Sequence, residues 1–237
     1  MLAILKKEFT AFFSGPVGYL VIGLFLLFNG LLLWYFKGNW NIFNTGFADM
    51  QAFFDSTPWL FILLIPAISM RSFSTEYTTG TIEILKTKPV IEWQIVFGKF
   101  FAVLFLIILS LTPTLLYAFS IAQLAQPATV DWGTILGSYF GLVALASVFT
   151  SIGLFTSIHS KNQIIAFILA VLFSFLLYFG LEQLILWELN TPSFFQKISL
   201  LEHYSSISKG VLDTRDLIYF ASVGFVFLYF TKTKLAS

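Results

Sequence analysis

Long apolar runs, more than any motif, limit what this chain can fold into. A helix that crosses a bilayer needs roughly 20 mostly apolar residues. Candidate runs lie at Pro16–Phe36, Met50–Met70, Ile95–Phe119, Ile135–Ile158, Ile164–Leu181 and Leu217–Phe230. In lipid, backbone polar groups must be satisfied within the segment, so such runs become helices. The expected fold is all-α: a polytopic membrane protein whose single transmembrane domain covers residues 1–237. The second run is interrupted by Asp55, and the sixth stops short at Thr231. Composition agrees: 11% of the residues are charged, against roughly 25% in a soluble domain.

Six spans place both termini on one side of the membrane. With the termini inside, Lys6, Lys7, Arg71, Lys86, Lys88, Lys99, Lys161, Lys232 and Lys234 lie on or near the cytoplasmic face. Lys37, Lys197, Lys209 and Arg215 lie opposite. The excess of Lys and Arg marks the cytoplasmic side, so this orientation is the expected one. Trp34, Trp40, Trp93, Trp132 and Trp187 fall at or just beyond span ends, where interfacial aromatic residues concentrate, whereas Trp59 lies near the middle of the second run.

Two segments outside the spans carry unusual patterns. In residues 1–13, Leu2, Leu5, Phe9, Phe12 and Phe13 recur at helical spacing, with Lys6, Lys7 and Glu8 set apart. This describes an amphipathic helix lying on the inner leaflet; a frayed terminus is the other reading. The run after it is longer than a signal-peptide core and lacks an A-x-A-like exit, so it is expected to stay as a span. Residues 182–215 are long for a connector and hold apolar groups at Leu184–Leu186, Phe194–Phe195 and Leu200–Leu201. Both a re-entrant outer segment and a folded outer cap fit them.

Chemistry-bearing patterns are scarce. No G-x-x-x-x-G-K-[ST] loop, H-E-x-x-H or G-x-S-x-G occurs, so the chain is not expected to be an enzyme or to hold a cofactor. There is no cysteine, which excludes disulfides and thiolate sites. His159 and His203 fall on opposite sides and cannot share a metal ion. A net charge of +1 without a basic cluster argues against nucleic acid. Lys99 and Asp55 are the only ionisable residues within the runs, both near an end. Each is expected to reach the interface by snorkelling. Pro66 and Pro113 are expected to kink the second and third spans.

The remaining feature is RSFSTEYTTGTIEILKTKPV, residues 71–90, a charged stretch on the cytoplasmic side. Gly80 can open a short helix over Thr81–Lys86, with Glu83 complementing its N-terminus and Pro89 stopping it. Ile82 and Leu85 would share one face. A solvated turn between spans is the plain alternative.

The run IPAISMRSFSTEYTTGTIEILKTKPVIEWQIVFGKF, residues 65–100, resembles the signature of ABC-2-type permeases. That family repeats an acid, a Gly-Thr-x-Glu step, a leucine, a Pro-Val and a Gly-Lys pair between its second and third spans. Glu76, Gly80–Thr81–Glu83, Leu85, Pro89–Val90 and Gly98–Lys99 match them, while Tyr77 stands where the family often has a base. LLEHYSSISKGVLDTRDLIYF resembles the family's segment before its last span. Among these permeases the chain is most similar to the gliding-motility-associated subunit of Bacteroidetes. The resemblance implies a type V exporter-like fold and a permease subunit in the cytoplasmic (inner) membrane. It implies a separate ABC ATPase subunit that binds the ATP, and a second membrane subunit, identical or companion, beside membrane lipid. It also implies a cytoplasmic coupling segment over 71–94, carried by Arg71, Glu76, Gly80, Thr81, Ile82, Glu83, Leu85 and Pro89. The alternative class is a channel or membrane scaffold not driven by ATP.

Overall fold

Apolar runs become helices along the chain, and the computed structural model describes all of it except residues 39, 46–48, 84–89, 125–130, 181–198, 211–212 and 237. Among the described residues there is no strand. Helix α1 is Leu2–Ser14, and Gly15 turns the chain in extended conformation toward α2, Val17–Gly30, which ends in a π-helical turn at Leu31–Tyr35. A short α3, Ile42–Thr45, precedes α4, Gln51–Ser69, and α5, Arg71–Thr78. Helix α6, Glu92–Leu111, is separated by one 3₁₀ turn from α7, Leu115–Leu124. Then follow α8, Trp132–His159, and α9, Gln163–Phe175, with a second π-helical turn at Leu176–Gly180. Helices α10, Leu200–Ser208, and α11, Thr214–Ala236, complete the chain.

Val17–Tyr35, Gln51–Thr78, Glu92–Gln123, Trp132–His159 and Gln163–Gly180 are long and apolar enough to cross a membrane. The protein is an all-α, multi-pass membrane protein. Helix α11 has 23 residues, about 35 Å at 1.5 Å per residue. Hydropathy halts this run at Phe230, yet the helix continues because Thr231 hides its hydroxyl on the Phe227 carbonyl at 2.8 Å.

The stretch after Met70 differs most from expectation. It is not a loop leading to one short helix: α5 carries the second span onward, and the backbone is helical again at 81–83. Gly80 separates the two pieces with φ +69, a left-handed conformation that favours glycine. Leu85, Lys86 and Pro89 lie outside the described residues, as does the 182–198 part of the outer segment.

Helix α8 is the axis of the bundle, because small side chains let its neighbours approach. A Cβ on Gly153 would lie 2.7 Å from Ser69 Cβ, so α4 packs almost backbone to backbone here. One turn on, Ser157 splices into the α4–α5 joint: its hydroxyl accepts from Phe73 N (3.0 Å) and Ser74 N (3.1 Å) and donates to Met70 O (2.8 Å). Gly224 of α11 faces Ser151, and Gly141 receives Ile207 of α10.

Two prolines break the ladder where another group repairs it. Pro58 lies inside α4 and, lacking an N–H, frees the carbonyl of Phe54. The Tyr204 hydroxyl, buried on α10, donates to that carbonyl at 2.7 Å. Pro113 likewise frees Leu109, whose carbonyl accepts from the Thr112 hydroxyl at 2.9 Å. Helix α10 is thus set among the span ends by Tyr204, by Ile207 and by Ser138, whose hydroxyl donates to Ser208 O at 2.9 Å.

Candidate functional site

Polar chemistry concentrates at the end of the bundle where α1, α5 and the first turns of α6 meet. Lys99 of α6 is the centre, with its side chain only 2% exposed. An ammonium has three hydrogens to donate, and all three are taken. They go to Glu8 Oε1 (2.9 Å), Glu76 Oε1 (2.9 Å) and the Ser72 carbonyl (2.6 Å). The Phe73 ring lies 5.0 Å away, close enough for a cation–π contact. Lys7 approaches Glu8 at 3.9 Å and Glu76 at 4.0 Å from its solvent side. Two cations therefore face two carboxylates, which removes most of the penalty of burying the charge.

Each partner is placed by a local feature. Ile4, Glu8 and Phe12 recur every four residues, so they share one face of α1. Glu8 belongs to that packed face, contrary to the expected solvent-facing cluster with Lys6 and Lys7. Gly98 makes the approach possible: a Cβ there would sit 2.9 Å from Ile4 Cγ2 and 3.3 Å from Met1 O. In the Gly98–Lys99 pair, the glycine admits α1 and the lysine holds it. Glu76 and Ser72 lie one turn apart on α5, both turned toward α6. Lys99 does not snorkel, since its acceptors come to it inside the protein.

The remaining expected residues divide by exposure. Arg71, Gly80, Thr81 and Glu83 are exposed, whereas Ile82 is 6% exposed and packs into the chain's own core. Ile82 therefore anchors the 81–83 turn to the bundle. Sequence reading missed Glu8 and the Ser157 splice. The four-residue spacing of Ile4, Glu8 and Phe12 was the available signal for the first; a lone serine in an apolar run gave none for the second.

At the opposite end, His203 of α10 meets Asp216 of α11 at 2.6 Å, and the imidazole stacks on Tyr219. No group of three or more metal-ligating side chains occurs among the described residues.

A lysine-centred joint between an N-terminal helix, the extension of span two and the start of span three involves the same Glu76 and Gly98–Lys99 that carried the family likeness. No curated protein matches the chain. Residues 2–216 match the family model described as ABC-2 family transporter protein, and the chain belongs to that family: it is a membrane transport subunit of the ABC-2 type.

Proposed function

We propose that this subunit is the permease of an ATP-driven exporter, coupled to a separate ATPase through the segment that begins at Arg71, with both termini in the cytoplasm. One observation carries the reading. Helix α5 continues span two beyond its apolar part and is tied by Lys99 to α1 and α6. A push on the exposed tip at Gly80, Thr81 and Glu83 is then delivered to spans two and three and to the N-terminal helix together, through a contiguous contact of the kind coupling needs. Ile82 holds the tip against the bundle, and the proposed segment also includes Leu85 and Pro89. A second membrane subunit, identical or companion, completes the path across the bilayer. On this reading the complex serves gliding motility at the inner membrane, a role suggested by the narrower likeness alone.

A pull-down from native membranes in mild detergent tests this. An ABC ATPase should co-purify with the wild-type chain. Glu83→Lys, which sets a cation against a helix start at a cost of about 0.3–1 kcal/mol, should weaken that recovery at unchanged chain abundance. Recovery of the chain without any ATPase would leave the channel or scaffold class standing.

A further inference from the structure

We propose that the cleft between α1, the start of α2 and the α4–α5 joint binds the phosphodiester headgroup of an anionic membrane lipid. The cleft has a volume of about 330 Å³, within the range of small-ligand sites. Its walls differ in kind. Phe12, Val17 and Ile68 supply the apolar side, Val17 from the first turn of α2 and Ile68 from the last turn of α4. Lys7, Arg71 and the Thr79 hydroxyl supply the polar side, just past the last apolar turn. The cleft therefore straddles the boundary where a lipid's acyl chains give way to its headgroup.

Charge decides the occupant. Lys7, Arg71 and Lys99 face Glu8 and Glu76 in the cleft, three cations against two carboxylates. One positive charge is left over. Both carboxylates are engaged by Lys99 at 2.9 Å, so the excess resides on exposed Arg71 and on Lys7, 70% exposed. A phosphodiester carries one negative charge and offers oxygens to a guanidinium in a fork geometry. A zwitterionic choline headgroup would need an accessible acid for its cation, but both cleft acids already hold Lys99 and the unpartnered Oε2 of Glu76 is buried. This assignment stands independently of the ATPase reading, because the lipid site needs no partner protein.

The test is native mass spectrometry of the full chain released from micelles holding equal phosphatidylglycerol and phosphatidylcholine. Wild-type protein should keep phosphatidylglycerol preferentially. Each interfacial base contributes about five-fold in affinity, so Arg71→Gln should weaken retention about five-fold. Lys7→Gln combined with it should weaken retention roughly 25-fold. Arg71→Lys should keep most of the binding, and Lys6→Gln, outside the cleft, should change it less than about two-fold. Circular dichroism confirms that each variant is folded, and the lysine variant remains informative if the glutamine variant is not. Equal retention of the two lipids, or a Lys6→Gln loss as large as that of Arg71→Gln, overturns the proposal. So does displacement of the lipid by millimolar inorganic phosphate, which would make this a site for a free anion. Loss of ATPase recovery in Arg71→Gln with lipid retention intact would also overturn it, by giving the cleft to a protein.

Discussion

Removing Lys99 and removing its acceptors have unequal consequences, because only one of these steps leaves charge buried without a partner. Lys99→Met strands Glu8 and Glu76 side by side, each largely covered, with Lys7 at 3.9 and 4.0 Å and exposed Arg71 as the cations left in the cleft. Breaking a buried ion pair from one side costs about 3–5 kcal/mol. Neutralising the acids as well removes the repulsion, so Lys99→Met with Glu8→Gln and Glu76→Gln should be more stable than Lys99→Met alone. Thermal unfolding in one detergent compares the three proteins, and a single variant as stable as wild type would show that the junction carries no weight. Gly80 poses a different residue-scale question. Among the described residues no atom lies within 4 Å of the position a Cβ would take, so substitution there meets the backbone conformation first. The left-handed φ alone should make Gly80→Ala cost about 1–2 kcal/mol. Gly80→Asn should cost less, since asparagine visits that region more readily. Equal loss in the two variants would point to a steric cause that the open surroundings do not offer.

At the scale of elements, packing of α8 against the α4–α5 joint admits a sharper prediction. Gly153→Ala drives a methyl into Ser69 and should destabilise by about 1–3 kcal/mol, the usual range for overpacking. Ser69→Gly in the same chain should restore much of that loss, whereas it should stabilise nothing on its own. A double-mutant cycle on melting temperature reads the compensation, and strict additivity would mean the two helices do not meet there. Pro58 and Tyr204 form a second testable pair. Tyr204→Phe leaves the Phe54 carbonyl buried without a donor, at about 1–3 kcal/mol. In a Pro58→Ala background the helix supplies its own N–H, so the same tyrosine change should cost less. These elements also show where sequence reading succeeds and stops. Apolar period and length locate helices because each span must satisfy its own backbone in lipid. The same logic ends span two at Met70, since hydropathy cannot see Ser157 arriving from another helix to repair the joint. It treats Lys99 as a snorkelling base for the same reason: Glu8 is 91 residues away in sequence. Gly98 and Lys99 were visible through family likeness, but the contact that explains them is tertiary.

For the whole molecule, the number of crossings and the side of each end fix where a partner can act. Among the described residues five runs qualify by length and composition, while α11 is long enough but carries Arg215 and Asp216 near one end and Lys232 and Lys234 near the other. Its packing favours a crossing: Asp216 meets His203 at one end of the bundle, and Gly224 lies against Ser151 of α8 farther along. A charge at each terminus with an apolar middle is also what a span anchored at both interfaces requires. Because the chain contains no cysteine, single cysteines can be labelled without background. Gly38, Thr78, Asp131, Lys161, Arg215 and Lys234 are all exposed in the structure, so burial does not decide their reactivity and sidedness does. With termini inside and six crossings, an impermeant thiol reagent added to intact cells should label cysteine at positions 38, 131 and 215. Positions 78, 161 and 234 should react only after the membrane is opened. Labelling at 215 and 234 from the same side would reduce the crossings to five and place α11 on one face of the membrane. Labelling at 78 from outside would invert the bundle, and it would put the Lys99 junction and the tip at Gly80 beyond the reach of any ATP-hydrolysing partner.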